Sequence, residues 1–221
     1  MPQNRCERIT KREQRIARTR ANCLLQEMRR RLRDRYRMTF RIAGSGCWGT
    51  MVRKPDGSYD LDYQIFITRN SADYERSVKG NPKKVKDDIR NTFNGLRNKG
   101  ESFRDSTTAI TLTNKTESVH YMIDFVIVTD FDGKTNIIRQ NKDLDPPLYT
   151  WNELPHRYED SYRYFRSLPY KEKETIVEKV IKRKCREIHK QKPDKSSSEI
   201  LIEEINNHAH RKGVRLRLRI Q

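Results

Sequence analysis

At 221 residues, with 33% hydrophobic and 35% charged side chains, the chain holds one domain, or a catalytic core with a helical appendage, built around a lean core. Its 48 Lys and Arg against 30 Asp and Glu leave a formal charge of +18, which implies an anionic partner, with nucleic acid or nucleotide first in line. No apolar run is long enough to span a bilayer, the amino terminus has no apolar signal core, and Cys6, Cys23, Cys47 and Cys185 lack the spacing of a zinc site or a disulfide framework. The expectation is a cytoplasmic protein with reduced thiols and no membrane partner.

In chain order, residues 10–36 read as an amphipathic helix. Ile16, Ala17, Ala21, Leu24, Leu25, Met28 and Leu32 form its apolar stripe, and eight arginines between Arg15 and Arg35 occupy its other faces. That arginine surface suits a solvated helix packed on a sheet, and it also suits contact with a nucleic-acid backbone. Residues 38–43 form a short strand running into Gly44-Ser45, with Gly46, Gly49 and Thr50 in the loop beyond. Residues 59–68 form a second strand after the turn signal Pro55-Asp56-Gly57. Residues 82–96 read as a helix, with Asn81 as N-cap and Pro82 in first position. Strands follow at 107–113 and 119–128, with a short one at 134–139, and the rest is helical at 161–165, 171–189 and 197–208. The tail 214–220 alternates Val, Leu and Ile with Arg, as an added sheet edge or a basic tail would.

Asp60-Leu61-Asp62 carries the chemistry. Residues two apart on a strand point the same way, so Asp60 and Asp62 aim both carboxylates at one point. Asp124 lies in the apolar run 119–128, where an isolated carboxylate is costly unless it is paired or binds a cation. Three carboxylates on neighbouring strands are what magnesium-assisted phosphoryl transfer needs, because hard cations take oxygen ligands and must also hold substrate phosphates. Acids that merely alternate toward water on a surface strand are the plain alternative for Asp60 and Asp62. In Gly44-Ser45 and the loop with Gly46, Gly49 and Thr50, glycine lets the backbone approach a phosphate closely, and amide N–H groups with a hydroxyl can cradle the anion.

Gly44-Ser45 followed by Asp60-x-Asp62, with Ala43 before them and Asp124 as a separate third acid, resembles the signature of the DNA polymerase β-like nucleotidyltransferase superfamily. The likeness to small bacterial nucleotidyltransferase-domain proteins extends through Asp105-Ser106-Thr107, Ile123-Asp124-Phe125, Tyr149-x-Trp151, Leu154-Pro155 and the Ser197-Ser198 helix start. The chain is also similar, more distantly, to bacterial cyclic-oligonucleotide synthases. The resemblance implies an α+β fold: a palm whose mixed sheet has helices on one side, over residues 1–148, and a small helical cap with a basic tail over 149–221. It implies an NTP substrate and two Mg²⁺ ions, or Mn²⁺ in their place, held by Asp60, Asp62 and Asp124. Gly44, Ser45 and Thr50 would grip the β- and γ-phosphates, and Lys182 and Ser197 are the nearest matches to the triphosphate-binding Lys and Ser of the cap.

Trp48 suits either a cover for the nucleotide or an anchor for its loop. Tyr149, Trp151, Tyr158, Tyr162 and Tyr164 suit base stacking or packing beneath the cap. The expected activity is metal-dependent transfer of NMP from an NTP to an acceptor hydroxyl, with RNA the acceptor that the charge favours. The alternatives are a nucleotide second-messenger synthase in phage defence and an inactive, basic nucleic-acid-binding protein. The synthases carry a larger helical domain than this chain holds, so single transfer rather than a cyclic product is the expectation.

Overall fold

The structure is a computed structural model that describes all residues except 1–5, 69–73, 75–77, 117–118, 132, 145, 147, 155–157, 191–193 and 217–221. In chain order its elements are β1 (Glu7–Arg8), α1 (Lys11–Arg31), β2 (Met38–Ala43), α2 (Gly44–Trp48), β3 (Val52–Arg53), β4 (Tyr59–Ile67), α3 (Pro82–Asn94), β5 (Glu101–Asp105), β6 (Ala109–Thr116), β7 (Val119–Phe131), β8 (Lys134–Asn141), β9 (Leu148–Glu153), α4 (Glu159–Ser167), α5 (Tyr170–Ile188) and α6 (Ser197–Arg211). They form two compact units that interleave along the chain: a sheet unit of residues 10–43 and 60–154, and a helical unit of residues 1–9, 44–59 and 155–221.

The sheet unit is built on a seven-stranded sheet with β2, β4, β7, β6 and β5 adjacent in that order, β8 paired to β7 and β9 paired to β8. Tyr149 and Trp151 therefore sit on a strand paired with β8, not at the start of a helical cap. Alternation decides which face is buried. Along β4, Tyr59, Leu61, Tyr63, Ile65 and Ile67 are buried and the residues between them are half-buried; Tyr121, Ile123, Phe125 and Ile127 are the buried set on β7. Ala17, Ala21, Leu24, Leu25 and Met28 of α1 and Val85, Ile89 and Phe93 of α3 are the buried stripes of the two helices. Phe93 lies 4.7 Å from Phe125 and 5.4 Å from Phe103 between ring centroids, and Tyr63 lies 6.2 Å from Phe125. Each such large apolar side chain contributes about 1.5–3 kcal/mol by leaving water.

Local signals set the ends of these helices. The Thr10 hydroxyl accepts from the Glu13 amide while Glu13 reaches back to the Thr10 amide, a reciprocal cap at the start of α1. The Asn81 side chain accepts from the Lys84 amide, and Pro82 opens α3 as expected.

In the helical unit, Phe165 of α4, Ile176, Val177 and Val180 of α5, and Ile200, Leu201, Ile202 and Ile205 of α6 form one apolar cluster. The two-residue strands β1 and β3 pair antiparallel, and α5 packs on both. Cys6 and Cys185 are joined by a disulfide across a sequence separation of 179, which corrects the expectation of four reduced thiols; Cys23 and Cys47 are free and exposed. Spacing alone cannot reveal a pairing made by tertiary proximity. No described helix is long and apolar enough to cross a membrane. Of the alternating tail, Val214–Leu216 has no regular structure, and 217–220 lie outside the described residues.

Candidate active site

The sheet unit presents the three acids. Asp60 and Asp62 occupy the half-buried positions of β4, and Asp124 occupies a half-buried position of β7, the strand hydrogen-bonded to β4. Because Tyr63 and Phe125 meet on the helix-covered face, the residues of opposite parity share the other face. All three carboxylates thus lie on one face of two adjacent strands. Among the described residues, no group of three or more His, Cys, Asp or Glu side chains is arranged to hold a metal ion.

The Thr111 hydroxyl donates a short hydrogen bond to Asp124 Oδ1. Thr111 pairs with Asp124 across β6 and β7, on the side of β7 away from β4. A cavity of about 340 Å³ lined by Phe66, Ile67, Thr68, Asp130 and Gly133 lies at the other end of β4, about 20 Å along the strand from Asp60.

The Gly44-Ser45 segment belongs to the helical unit. Ala43, the last residue of β2, pairs with Asp62, and Gly44 is the next residue in the chain. The expected loop is instead the short helix α2, entered through Gly44 at φ +53° and left through Gly49 at φ +70°. A side chain is strained at either angle, which is why glycine stands there.

Trp48 anchors α2: its ring stacks on Tyr162 at 4.8 Å, meets Phe165 edge-on at 5.7 Å, and lies under the Arg166 guanidinium. Thr50 is placed otherwise than expected. It is only 1% exposed, its amide donates to the Ser45 carbonyl at 3.0 Å, and its carbonyl accepts from Lys184 Nζ at 2.7 Å. A side chain so enclosed offers no surface to a phosphate.

Of the cap residues, Lys182 is exposed on α5. Ser197 is the exposed first residue of α6, one position after the true N-cap, Ser196, which forms a reciprocal cap with Glu199. Lys184, which sequence reasoning passed over, is the buried lysine. Its signal was its place four residues after Val180, on the apolar stripe of α5.

The Asp105-Ser106 and Tyr149-x-Trp151 positions serve the scaffold. Lys86, 1% exposed on α3, puts Nζ 2.6 Å from Asp105 Oδ1 and donates to the Ser106 carbonyl at 2.7 Å. Tyr149 donates to Asp105 Oδ2 at 2.8 Å, and Trp151 Nε1 donates to the Val78 carbonyl at 3.0 Å. Burial pushes the Lys86 ammonium below its ordinary pKa, against the pull of Asp105. Burial, reinforced by the bond to Asp105, raises the Tyr149 phenol to about 12. These bonds tie α3 and β9 to the end of β5.

No family model matches the chain, and no curated protein matches it. Solved structures do. Escherichia coli DncV with bound 3′-deoxy GTP matches at TM-score 0.58 and 16% identity, over 90% of this chain and 53% of that one. The Vibrio cholerae di-nucleotide cyclase DncV in complex with GTP matches at 0.55 and 13%, over 77% of this chain and 48% of that one. Escherichia coli CdnC, in a complex with HORMA-deltaN, matches at 0.53 and 15%, over 90% and 61%. The chain spans about half the length of the first two and three-fifths of the third. What the likeness establishes is the architecture: this chain has the α+β nucleotidyltransferase fold of these DncV and CdnC structures.

Proposed function

We propose that the protein is a nucleotidyltransferase that moves NMP from an NTP to the hydroxyl of a second nucleotide, in the manner of a second-messenger synthase. One observation carries this reading. Asp60, Asp62 and Asp124 share the half-buried face of two hydrogen-bonded strands, in a fold also found in dinucleotide cyclases.

Three carboxylates form a donor set suited to a hard divalent cation, so the residues present fit Mg²⁺ or Mn²⁺. Asp60 and Asp62 would hold both ions and Asp124 one of them. When bound, the metal would neutralise triphosphate charge and favour deprotonation of the acceptor hydroxyl. Asp124 would take that proton, while Gly44 and Ser45 orient the β- and γ-phosphates through the backbone. Lys182 and Ser197, both exposed, would add further contacts to the triphosphate. The test is to incubate the protein with each α-labelled NTP, Mg²⁺ and RNA, and to resolve the products. Label in short, phosphatase-resistant oligonucleotides supports the synthase, label in RNA supports the second reading below, and no transfer rejects both.

Thr111 is a specific handle on the metal reading. Thr111→Val keeps the branched strand shape but removes a hydrogen bond worth about 0.5–1.5 kcal/mol. If that bond competes with metal ligation, the Mg²⁺ concentration for half-saturation is expected to fall about 3- to 10-fold in a calorimetric titration. Weaker Mg²⁺ binding would show instead that Thr111 holds Asp124 in its ligating position.

The second reading makes RNA the acceptor, and the charge of +18 favours it. Arg29, Arg30, Arg31 and Arg33 are exposed on and just beyond α1. Arg30 and Arg31 hold Glu27, whose carboxyl falls to about 2 through these hydrogen bonds, and Arg33 lies beside Asp34. Exposed ion pairs of this kind are weak enough to yield to phosphates. Replacing all four arginines by Gln should weaken RNA binding. It should also flatten the slope of log affinity against log salt by about 3 if each meets one phosphate of a single strand. Equal binding at every salt concentration would leave this helix as a solvated face.

A further inference from the structure

The run from Ser45 to Arg53 is held between two jaws. On one side stands β1: Glu7 and Arg8 pair with Arg53 and Val52, and the Ile9 amide donates to the Met51 carbonyl at 3.3 Å. On the other stands α5, whose Lys184 ammonium is buried and donates to the Thr50 carbonyl at 2.7 Å. Thr50 in turn donates to Ser45 at 3.0 Å, so Lys184 acts on the residue that closes the end of α2. Arg8 joins the jaws from the surface by an ion pair to Glu174 at 3.0 Å. It also packs over Gly49, where an added Cβ would come within 3.3 Å of its Nη2. The disulfide joins the jaws from within: Cys6 immediately precedes β1, and Cys185 immediately follows Lys184. A two-residue ribbon is marginal by itself, so the covalent bond is what fixes its distance from α5.

We infer that Lys184 is a positioning residue for the Gly44–Thr50 segment and that the Cys6–Cys185 bond sets its position, so that nucleotide affinity depends on the redox state of this pair. This rests on the reading that Gly44 and Ser45 grip the phosphates. Reduction is a two-electron exchange with a dithiol. The Cys6–Cys185 bond breaks, each sulfur ends as a thiol, and the reductant gives up two electrons and two protons as it closes to its own disulfide. Cys23 and Cys47 are already free, so the reductant has one target in this chain.

The experiment measures binding of a non-hydrolysable ATP or GTP analogue to the oxidised protein and to protein reduced with dithiothreitol, with circular dichroism confirming that both stay folded at the assay temperature. Reduction is expected to raise Kd about 10-fold, the scale of losing one charge-assisted hydrogen bond, and to raise KM without lowering kcat. Cys6→Ser should bind as weakly as the reduced protein and be indifferent to reductant. Lys184→Met should bind weakly even when oxidised. If Lys184→Met fails to fold, reduction of the wild-type chain still decides. Reduction that lowers the melting temperature but leaves Kd unchanged would overturn the inference, since the bond would then be a staple only. Tight binding by a folded Lys184→Met would overturn the role of Lys184. An oxidised wild-type chain that binds neither analogue would instead reject the nucleotidyltransferase reading, and this inference with it.

Discussion

Asp62→Asn is expected to lower nucleotidyl transfer by several orders of magnitude while leaving the fold intact. Asp62 stands between buried Leu61 and Tyr63 and opposite Ala43, so an isosteric amide keeps the strand pairing and the alternation of β4. What changes is charge. An amide is a poor ligand for a hard cation, and metal assistance supplies several kcal/mol of transition-state stabilisation, each 1.4 kcal/mol being about tenfold in rate. Turnover of α-labelled NTP and a thermal melt together make the check. Turnover near the wild-type value with an unchanged melt would remove Asp62 from the site and favour a basic protein that binds nucleic acid without catalysis.

The second large effect belongs to the disulfide. Closing a loop across a separation of 179 residues removes much of the freedom of the unfolded chain. The chain-entropy account puts that at about 5 kcal/mol. Cys6→Ser, or reduction of the wild-type chain, should therefore lower the melting temperature by about 10 °C or more, given the usual 2–4 °C per kcal/mol at this size. Adding dithiothreitol to Cys6→Ser should change nothing further, because Cys23 and Cys47 are already free thiols. A wild-type melt that does not respond to reductant would mean that the bond contributes nothing to stability in solution.

The parts legible in the sequence were those with strong local physics. The helix stripe of α1, the Asn81-Pro82 start of α3 and the alternation around Asp60, Asp62 and Asp124 each follow from a period or a cap, and the structure has them. The misses share a cause: local propensity lost to tertiary context. Gly44-Ser45-Gly46 reads as loop because glycine disfavours helix, yet Trp48 packed on Tyr162 and Phe165 holds α2 in place. Neither β5, with its mixed sequence Glu-Ser-Phe-Arg-Asp, nor β9, with Leu-Tyr-Thr-Trp-Asn-Glu, shows a clean alternation, and both are strands because neighbours pair with them.

At the candidate site the same limit applies to single residues. Spacing named the three acids and the glycine entry, but not the enclosure of Thr50, the burial of Lys184 or the hold of Thr111 on Asp124. Each of these depends on which side chain meets which across the fold, and a linear pattern carries no record of that.

The Cys6–Cys185 bond also closes residues 6–185 into a covalent ring. A single protease cut anywhere inside the ring yields a nicked molecule of undiminished mass, whose pieces separate on a denaturing gel only after a thiol is added. A cut outside the ring separates the outer piece on a denaturing gel with or without a thiol. Limited proteolysis run with and without reductant therefore reports where the chain is cleaved, and a preparation judged intact on a non-reducing gel has not been shown to be uncut.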